Sequence, residues 1–507
     1  MSTSLFADIA PARDSTLFDR SPLPTWGCAL AIAGLGTAAL WKSSVGINWP
    51  MCVASVAAAL LLGARERYGT AGFPSIVAAS WAIVIALGAA ISADQARISM
   101  LILATLTLLA IALVAAGQRS LDVLHLRTAL LAPIAALAFT LLGFIAELTG
   151  GARITRSARA AAIIRTALIT IPIVIVLILL LGDADPFFAA VRSALQHIFP
   201  EDVFAQLLFF SFLLIVTLGA LGCVQTGATH VHPATVSTRA TLGILERRVL
   251  LASLATIMWT FVVSAYVSLT RDPASKAGSG ITYAEYVHNG FAQLSVAASI
   301  VIGLVLLTRR SWLEDDAAAR RLALTALAGM VGMVAIAFMR VVGYERVYGF
   351  TTLRIYAQAY MVVLACMSAL LAIEIFRRAP SARFAFHSAT AALAVMVGCI
   401  VWNTDAWIVR RNVERYQSTG KLDTSYLTSD LSDDATPALV DSVRLLREPE
   451  RSRVIRFLRR KDIDNHWQPR DWYEWNLRAS AGAKAARAFH GNDIAGAAAQ
   501  TREIGAE

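Results

Sequence analysis

The residues best suited to chemistry lie in two polar stretches that interrupt long apolar runs. The first is "ITYAEYVHNGFAQLSV", in which Glu285, Tyr286, Asn289 and Gln293 fall toward one side of a helix. The stretch leads directly into an apolar run. Because an amide exposed to lipid cannot satisfy its hydrogen bonds, we expect this polar stripe to face other helices or a water-filled cavity.

The second stretch is "RVYGFTTLRIYAQAYMVV". Helical spacing puts Arg354 and Gln358 on one face, and Tyr356 and Tyr360 on the opposite one. An arginine inside a helix bundle needs a partner, and Glu285 is the best acidic candidate by residue type. We therefore predict one polar site shared by the two stretches. A purely structural ion pair and a ligand contact are both open, with the structural pair favoured.

Charged residues just before the second stretch have an ordinary explanation. The segment "AFMRVVGYERVYGF" contains Arg340, Tyr344, Glu345 and Arg346 at the mouth of an apolar run. Long charged side chains at the end of a span can reach water while their stems stay in the apolar layer. This position at the end of a span is enough to explain Arg340 and Arg346.

A pair of aspartates ends another apolar run, in "LLLGDADPFFAAVRSALQHIFPED". Asp183 and Asp185 are one residue apart, and such carboxylates can bind a divalent cation or act as an acid/base pair. Aspartates that precede a proline-opened helix more commonly cap it, so capping is the favoured interpretation. The apolar spacing after Pro186 indicates an interfacial helix or a re-entrant hairpin.

Other motifs for metals and cofactors are weak or missing. His230 and His232 form a pair without a third ligand, and the five cysteines lie in or beside apolar runs. The sequence has no phosphate-binding glycine loop, no Cys-x-x-Cys and no serine-hydrolase elbow. We expect no metal site and no cofactor, and the absence of a catalytic motif favours a protein that is not an enzyme.

The composition requires a membrane to position these residues. Of 507 residues, 57% are hydrophobic and 16% are charged, with a mean hydropathy of +0.60, whereas a soluble protein has about 25% charged residues. The fold class predicted is all-α, a polytopic transmembrane helical bundle of about 12 spans with a small soluble C-terminal helical domain. The spans are predicted at residues 23–41, 45–64, 73–92, 98–117, 128–148, 166–182, 203–223, 249–269, 291–308, 322–340, 355–375 and 385–403.

These spans divide the chain into four parts. Residues 1–22 are predicted to be a flexible tail, 23–403 the transmembrane domain, 404–490 a soluble or membrane-surface helical domain, and 491–507 a second flexible tail.

Within residues 404–490 two helices are expected. In the first, "TPALVDSVRLLREPERSRVIRFLRRK", Leu439, Val443 and Leu446 are at helical spacing, followed by many arginines. The second is "WQPRDWYEWNLRASAGAKAARAF", with Trp472 and Trp475 on one face.

The net charge of +10 concerns topology and partners. The loops after the fifth, seventh, ninth and eleventh predicted spans are basic, so the positive-inside rule places them in the cytoplasm. An even number of spans then places both termini outside, although Arg410, Arg411 and Arg415 after the last span oppose this. The expected partners are the lipid bilayer, anionic lipid headgroups and a protein that binds the C-terminal domain. No nucleic-acid-binding module is present.

Several segments carry a family resemblance. "DADPFF", "TYAEYVHNGF", "YGFTTLRIYAQAY" and "NTDAWIVRRNVER" with "YLTSDLSDDATPAL" resemble recurring segments of a bacterial family of polytopic membrane proteins, known only as a domain of unknown function (the 4173/4153-type families). The resemblance covers most of the chain. It implies a multi-pass protein of the bacterial plasma (inner) membrane and assigns no catalytic residues.

Three classes of function fit these observations. The first, which we favour, is transport or permease-like handling of a small solute through polar sites in spans nine to eleven, although no internal repeat is evident. The second is a membrane-embedded transferase that acts on a lipid or envelope substrate, with Asp183 or Asp185 as base or metal ligand. The third is a non-catalytic membrane scaffold or sensor that uses the C-terminal domain.

Overall fold

The computed structural model confirms an all-helical chain. It describes residues 23–118, 126–150, 201–226, 244–270, 297–309, 316–378, 382–464 and 471–489, and within those ranges it contains helices and turns but no strand. The two predicted terminal tails lie outside the described residues. The chain forms two compact units, which are described separately.

The first unit comprises residues 1–234 together with 468–477. Its described helices are α1 (Leu23–Leu40), α2 (Asn48–Tyr68), α3 (Phe73–Ile91), α4 (Gln95–Val114), α5 (Leu126–Gly150) and α6 (Glu201–Thr226).

Close packing of α5 on α6 in the first unit depends on glycine. A Cβ added at Gly143 would lie 2.1 Å from the Gly219 carbonyl oxygen, and one at Gly222 would lie 2.7 Å from the Gly143 oxygen. Such distances leave room only for hydrogen. Small residues of this kind allow helix backbones to approach inside a bilayer, where burial of apolar side chains gives little driving force between helices.

Residues 471–477 pack on helix ends of the first unit, and this explains why one predicted helix starts late. Trp472–Glu474 is a single 3₁₀ turn, and the helix that follows, α16, spans 477–489. The Trp475 carbonyl accepts from Ile47 N–H at 3.1 Å, and Asn476 Nδ2 donates to the Ala89 carbonyl at 3.1 Å. A continuous α-helix through residues 471–476, which the sequence predicted as part of this helix, would use the Trp475 carbonyl for a hydrogen bond within its own backbone.

The second unit comprises residues 235–467 and 478–507. Its described helices are α7 (Ile244–Thr270), α8 (Ala297–Arg309), α9 (Ala317–Tyr348), α10 (Thr352–Phe376), α11 (Ala382–Trp402), α12 (Thr404–Thr419), α13 (Thr424–Ser429), α14 (Thr436–Ser442) and α15 (Glu450–Asp464). The 3₁₀ turn Val443–Leu445 divides the first predicted C-terminal helix into α14 and α15.

Seven of the described helices are long and apolar enough to cross a membrane, namely α3, α4, α6, α7, α9, α10 and α11. Each coincides with a predicted span. The helices α1, α5 and α8 contain shorter apolar segments, and the predicted span at 166–182 lies outside the described residues. The protein is therefore a multi-pass membrane protein, while the total of about 12 spans stays a prediction.

The C-terminal helices share one apolar core with the start of α10. Val409, Leu439, Val454 and Leu458 are buried in that core together with Ile355, which lies in the first turn of α10. The predicted apolar positions Leu439, Val443 and Leu446 are likewise buried. Residues after α11 thus pack directly on the end of a membrane-length helix.

Candidate functional site

Of the residues predicted to form a polar site, the structure describes two. Arg354 and Gln358 lie in the first two turns of α10. The stripe formed by Glu285, Tyr286, Asn289 and Gln293 lies outside the described residues, and so does the acidic pair Asp183 and Asp185. Convergence of the stripe on Arg354 therefore stays a prediction.

Gln358 contacts a buried acid on the neighbouring helix. Its Nε2 donates to Glu345 Oε2 at 2.7 Å, which joins the second turn of α10 to the last turn of α9. Glu345 is only 2% exposed, and its other carboxylate oxygen, Oε1, has no hydrogen-bond partner among the described residues. A buried acceptor without a donor is costly, so Glu345 is the most unusual polar group of this site.

Arg354 lies beside this carboxylate and against an aromatic ring. Its guanidinium carbon is 4.5 Å from the centroid of the Tyr344 ring, and Nη1 donates to the Gly349 carbonyl. Tyr344 in turn stacks on Tyr348, with ring centroids 4.4 Å apart. The arginine is thus held by a ring face and a backbone oxygen, which fixes its charge near the acid.

A tight turn between α9 and α10 brings these groups together. Gly349 has φ +88° and ψ 174°, a backbone conformation open essentially only to glycine. Its N–H still donates to the Glu345 carbonyl at 2.8 Å, which ends α9. Thr351 is extended, and α10 starts at the next residue. The sequence "YGFTT" therefore reverses the chain within three residues.

The first C-terminal helix holds this turn through side chains. Asn412 of α12 accepts from Phe350 N–H at 2.9 Å through Oδ1 and donates to the Phe350 carbonyl at 2.8 Å through Nδ2. Arg415 Nη2 donates to the Val347 carbonyl at 2.9 Å. The amide of Asn412 satisfies both backbone groups of Phe350, as a neighbouring strand would.

A tyrosine from α13 completes the contact. Thr352 N–H, an otherwise unpaired donor at the start of α10, donates to the Tyr426 hydroxyl at 2.7 Å. Burial raises the pKa of Tyr426, so the hydroxyl stays protonated at neutral pH. The polar site at the α9–α10 turn is consequently continuous with the C-terminal helices.

A second polar cluster lies at the opposite end of α10. Arg309, at the end of α8 and fully buried, donates from Nη1 to Glu374 Oε2 at 3.0 Å. The other oxygen, Oε1, lies 3.4 Å from Nδ1 of the more exposed His387 on α11. Three helices therefore meet at one carboxylate, and the pairing of both oxygens indicates a structural role.

A third charged group ties α7 to α9. Asp316 caps α9 by accepting from Ala319 N–H at 3.0 Å, and it pairs with Arg247 at 2.9 Å and with Arg248 at 3.0 Å. Hydrogen bonds from Arg248, and then from Ala319 and Arg247, hold the pKa of Asp316 well below its ordinary value, although burial acts in the opposite direction. Among the described residues no group of three His, Cys, Asp or Glu side chains could hold a metal ion.

Glu345, Glu374 and Arg309 were not predicted from the sequence as site residues. From the sequence, Glu345 was interpreted as one of several charged residues at the end of a span, and Arg309 as part of a basic loop. The available signal was an acid inside an otherwise apolar run, as in "LLAIEIF" around Glu374.

The comparisons with known proteins give a family but no activity. Residues 79–442 match the family described as "Domain of unknown function (DUF4153)". The chain belongs to this family. The match includes the α9–α10 turn and ends within the C-terminal helices, which confirms the resemblance noted in the sequence. No curated protein and no solved structure matches the chain.

Proposed function

We propose that this protein is a permease-like protein of a bacterial plasma membrane, and that it handles a small solute at the polar site between α9 and α10. The observation that carries the proposal is Glu345. It is 2% exposed on a membrane-length helix, and one of its carboxylate oxygens has no partner among the described residues. Ionisable groups within membrane spans typically belong to solute, ion or proton pathways.

The chemistry of the site favours a solute that donates hydrogen bonds or carries positive charge. An ionised carboxylate is only an acceptor, and the Glu345 oxygen not bonded to Gln358 is available to a donor or a cation. Protons and monovalent cations are the simplest members of this class.

The charges of the second unit support a cytoplasmic location for the end of the bundle away from the α9–α10 turn. The pair Arg247–Asp316 lies at the start of α7 and α9, and Arg309 meets Glu374 near the end of α10. Since α9 and α10 form a hairpin, both pairs lie at the end opposite the turn. We place this end, whose basic residues lie in short loops, in the cytoplasm and the C-terminal helices outside. The arginines of α15 belong to a longer C-terminal segment, to which the positive-inside rule gives little weight.

A sensor or scaffold is the second candidate, and one observation favours it. Asn412 and Tyr426 bind the α9–α10 turn directly, so a partner that displaced the C-terminal helices would disturb the polar site. The transferase hypothesis rests on Asp183 and Asp185, which lie outside the described residues.

The permease proposal is tested by flux through purified protein in liposomes. Proton, sodium and potassium fluxes are measured with ion-sensitive dyes for the native protein, for Glu345→Gln and for a control, Glu414→Gln. Glu414 is an exposed residue of α12 paired with Arg411. We expect native and control proteins to carry flux of at least one ion, and Glu345→Gln to lose about tenfold or more. Flux no higher than in empty liposomes, or unchanged by Glu345→Gln, would contradict the proposal.

A further inference from the structure

We propose that the arginines around α15 form a binding surface for the anionic headgroups of the bilayer that holds the spans. Seven arginines between Arg444 and Arg460 are exposed, and the same stretch contains two glutamates, Glu448 and Glu450. Of these, Glu448 is engaged in capping α15, since its Oε2 accepts from Ser452 N–H at 3.3 Å. The surface therefore has a strong net positive charge.

The arginines are displayed by a rigid support. Val454 and Leu458 of α15 are both 0% exposed in the C-terminal core. At about 100° per residue, Arg453, Arg456 and Arg460 fall within about 60° of one another on the side away from those two residues. The buried face of α15 thus fixes the direction of its basic face, which lowers the entropy lost when several guanidinium groups bind at once.

The basic residues are arginines rather than lysines, which favours a phosphate-bearing partner. A guanidinium group presents a planar fork of donors that matches phosphate oxygens in a bidentate manner. Leu445, 51% exposed, lies among the arginines in the 3₁₀ turn before α15. An apolar side chain between cationic ones is typical of segments that rest in the headgroup layer.

The position of α15 in the chain makes the bilayer the nearest phosphate surface. A single residue, Asn403, separates the end of α11 at Trp402 from the start of α12 at Thr404. Ile355, in the first turn of α10, belongs to the same apolar core as α15. The basic surface is thus anchored beside two membrane-length helices, where the headgroups are always at high local concentration.

The test uses the full chain in nanodiscs of phosphatidylcholine alone or with one third phosphatidylglycerol. The readout is the rate of tryptic cleavage after Arg444 and Arg447, followed by mass spectrometry. We expect cleavage to be about tenfold or more slower in the anionic nanodiscs, because each basic residue near such a surface adds to binding. Molar salt should remove the difference, since it shortens the Debye length to about 3 Å.

Two charge-matched triple variants locate the effect. The variant Arg453→Gln with Arg456→Gln and Arg460→Gln should lose most of the protection at Arg444 and Arg447. The control changes three exposed cationic residues elsewhere in the C-terminal region, Arg410, Lys421 and Lys484, to glutamine. This control should retain the protection. Equal cleavage rates in the two kinds of nanodisc would overturn the proposal and leave the surface to an acidic protein or polymer, and equal losses in both triple variants would also overturn it.

Discussion

Replacement of Gly349 by alanine tests whether the α9–α10 turn is held as the structure shows. At φ +88° and ψ 174° an alanine pays about 1 to 3 kcal/mol of backbone strain. Its Cβ would also lie 2.6 Å from Asn412 Oδ1, so the Asn412 amide must move away. That movement weakens two hydrogen bonds to Phe350, each worth about 0.5 to 1.5 kcal/mol. We expect Gly349→Ala to lower the free energy of unfolding by about 2 to 6 kcal/mol.

The assay is the midpoint of denaturant-induced unfolding in detergent micelles, measured for four proteins that form a double-mutant cycle. In an Asn412→Ala background the steric conflict is absent, so Gly349→Ala should cost only the backbone strain, about 1 to 3 kcal/mol. The control is Gly398→Ala on α11, where an added Cβ meets nothing within 4 Å. That change should be neutral or stabilising by up to about 1 kcal/mol, because alanine favours the helix.

Two results would refute this reasoning. Gly349→Ala as stable as the native protein would mean that the turn does not require glycine. An equal cost of Gly349→Ala with and without the Asn412 side chain would mean that Asn412 does not hold Phe350 as described.

Three further substitutions test the charged pairs and the helix packing by the same unfolding measurement. Asp316→Asn should lower the free energy of unfolding by about 3 kcal/mol. In the native protein the contribution of the Asp316 carboxylate is complete above the ordinary aspartate pKa and is lost as the pH falls through its lowered pKa. The variant should lack this pH-dependent loss. Arg309→Met should lower the free energy of unfolding by about 3 to 5 kcal/mol, because it leaves Glu374 buried without its cation. Adding Glu374→Leu should recover much of the lost stability. A double variant no more stable than Arg309→Met would contradict a buried ion pair. Gly143→Ala should force α5 away from α6 and lower the unfolding midpoint, since its Cβ would lie 2.1 Å from a backbone oxygen. The control Gly34→Ala, whose Cβ would meet nothing within 4 Å, should leave the midpoint unchanged. Equal midpoints for these two variants would exclude the close packing.

The spans could be predicted because hydropathy is local to each segment. The apolar windows behind α3, α4, α6, α7, α9, α10 and α11 each suffice to identify a membrane-length helix. The predicted span at 45–64 fell on α2, whose last turn carries Arg65, Glu66 and Arg67. This helix is not among the seven helices that are apolar enough to cross a membrane, because Asn48 and Pro50 in its first turn and the charges in its last turn lower its hydropathy.

Partners across the fold could not be predicted in the same way. Helical spacing correctly placed Arg354 and Gln358 on one face, since both contact the last turn of α9. Spacing gives no information about which residue of another helix lies opposite, and the described partner of Gln358 is Glu345. Arg309 and Glu374 are 65 residues apart in the chain, so only the packing of α8 on α10 brings them together.

The α9–α10 turn contacts both the polar site and the C-terminal helices. The Gly349 carbonyl accepts a hydrogen bond from Arg354, and the Gly349 N–H donates to the last turn of α9. Because Gly349 has no side chain, Asn412 can approach its backbone closely. A shift of α12 would therefore move Phe350 and the backbone oxygen that positions Arg354 beside Glu345. If Asn412→Ala, which lies outside the polar site, changes ion flux as well as stability, the C-terminal helices regulate the site; if flux is unchanged, they serve only to hold the turn.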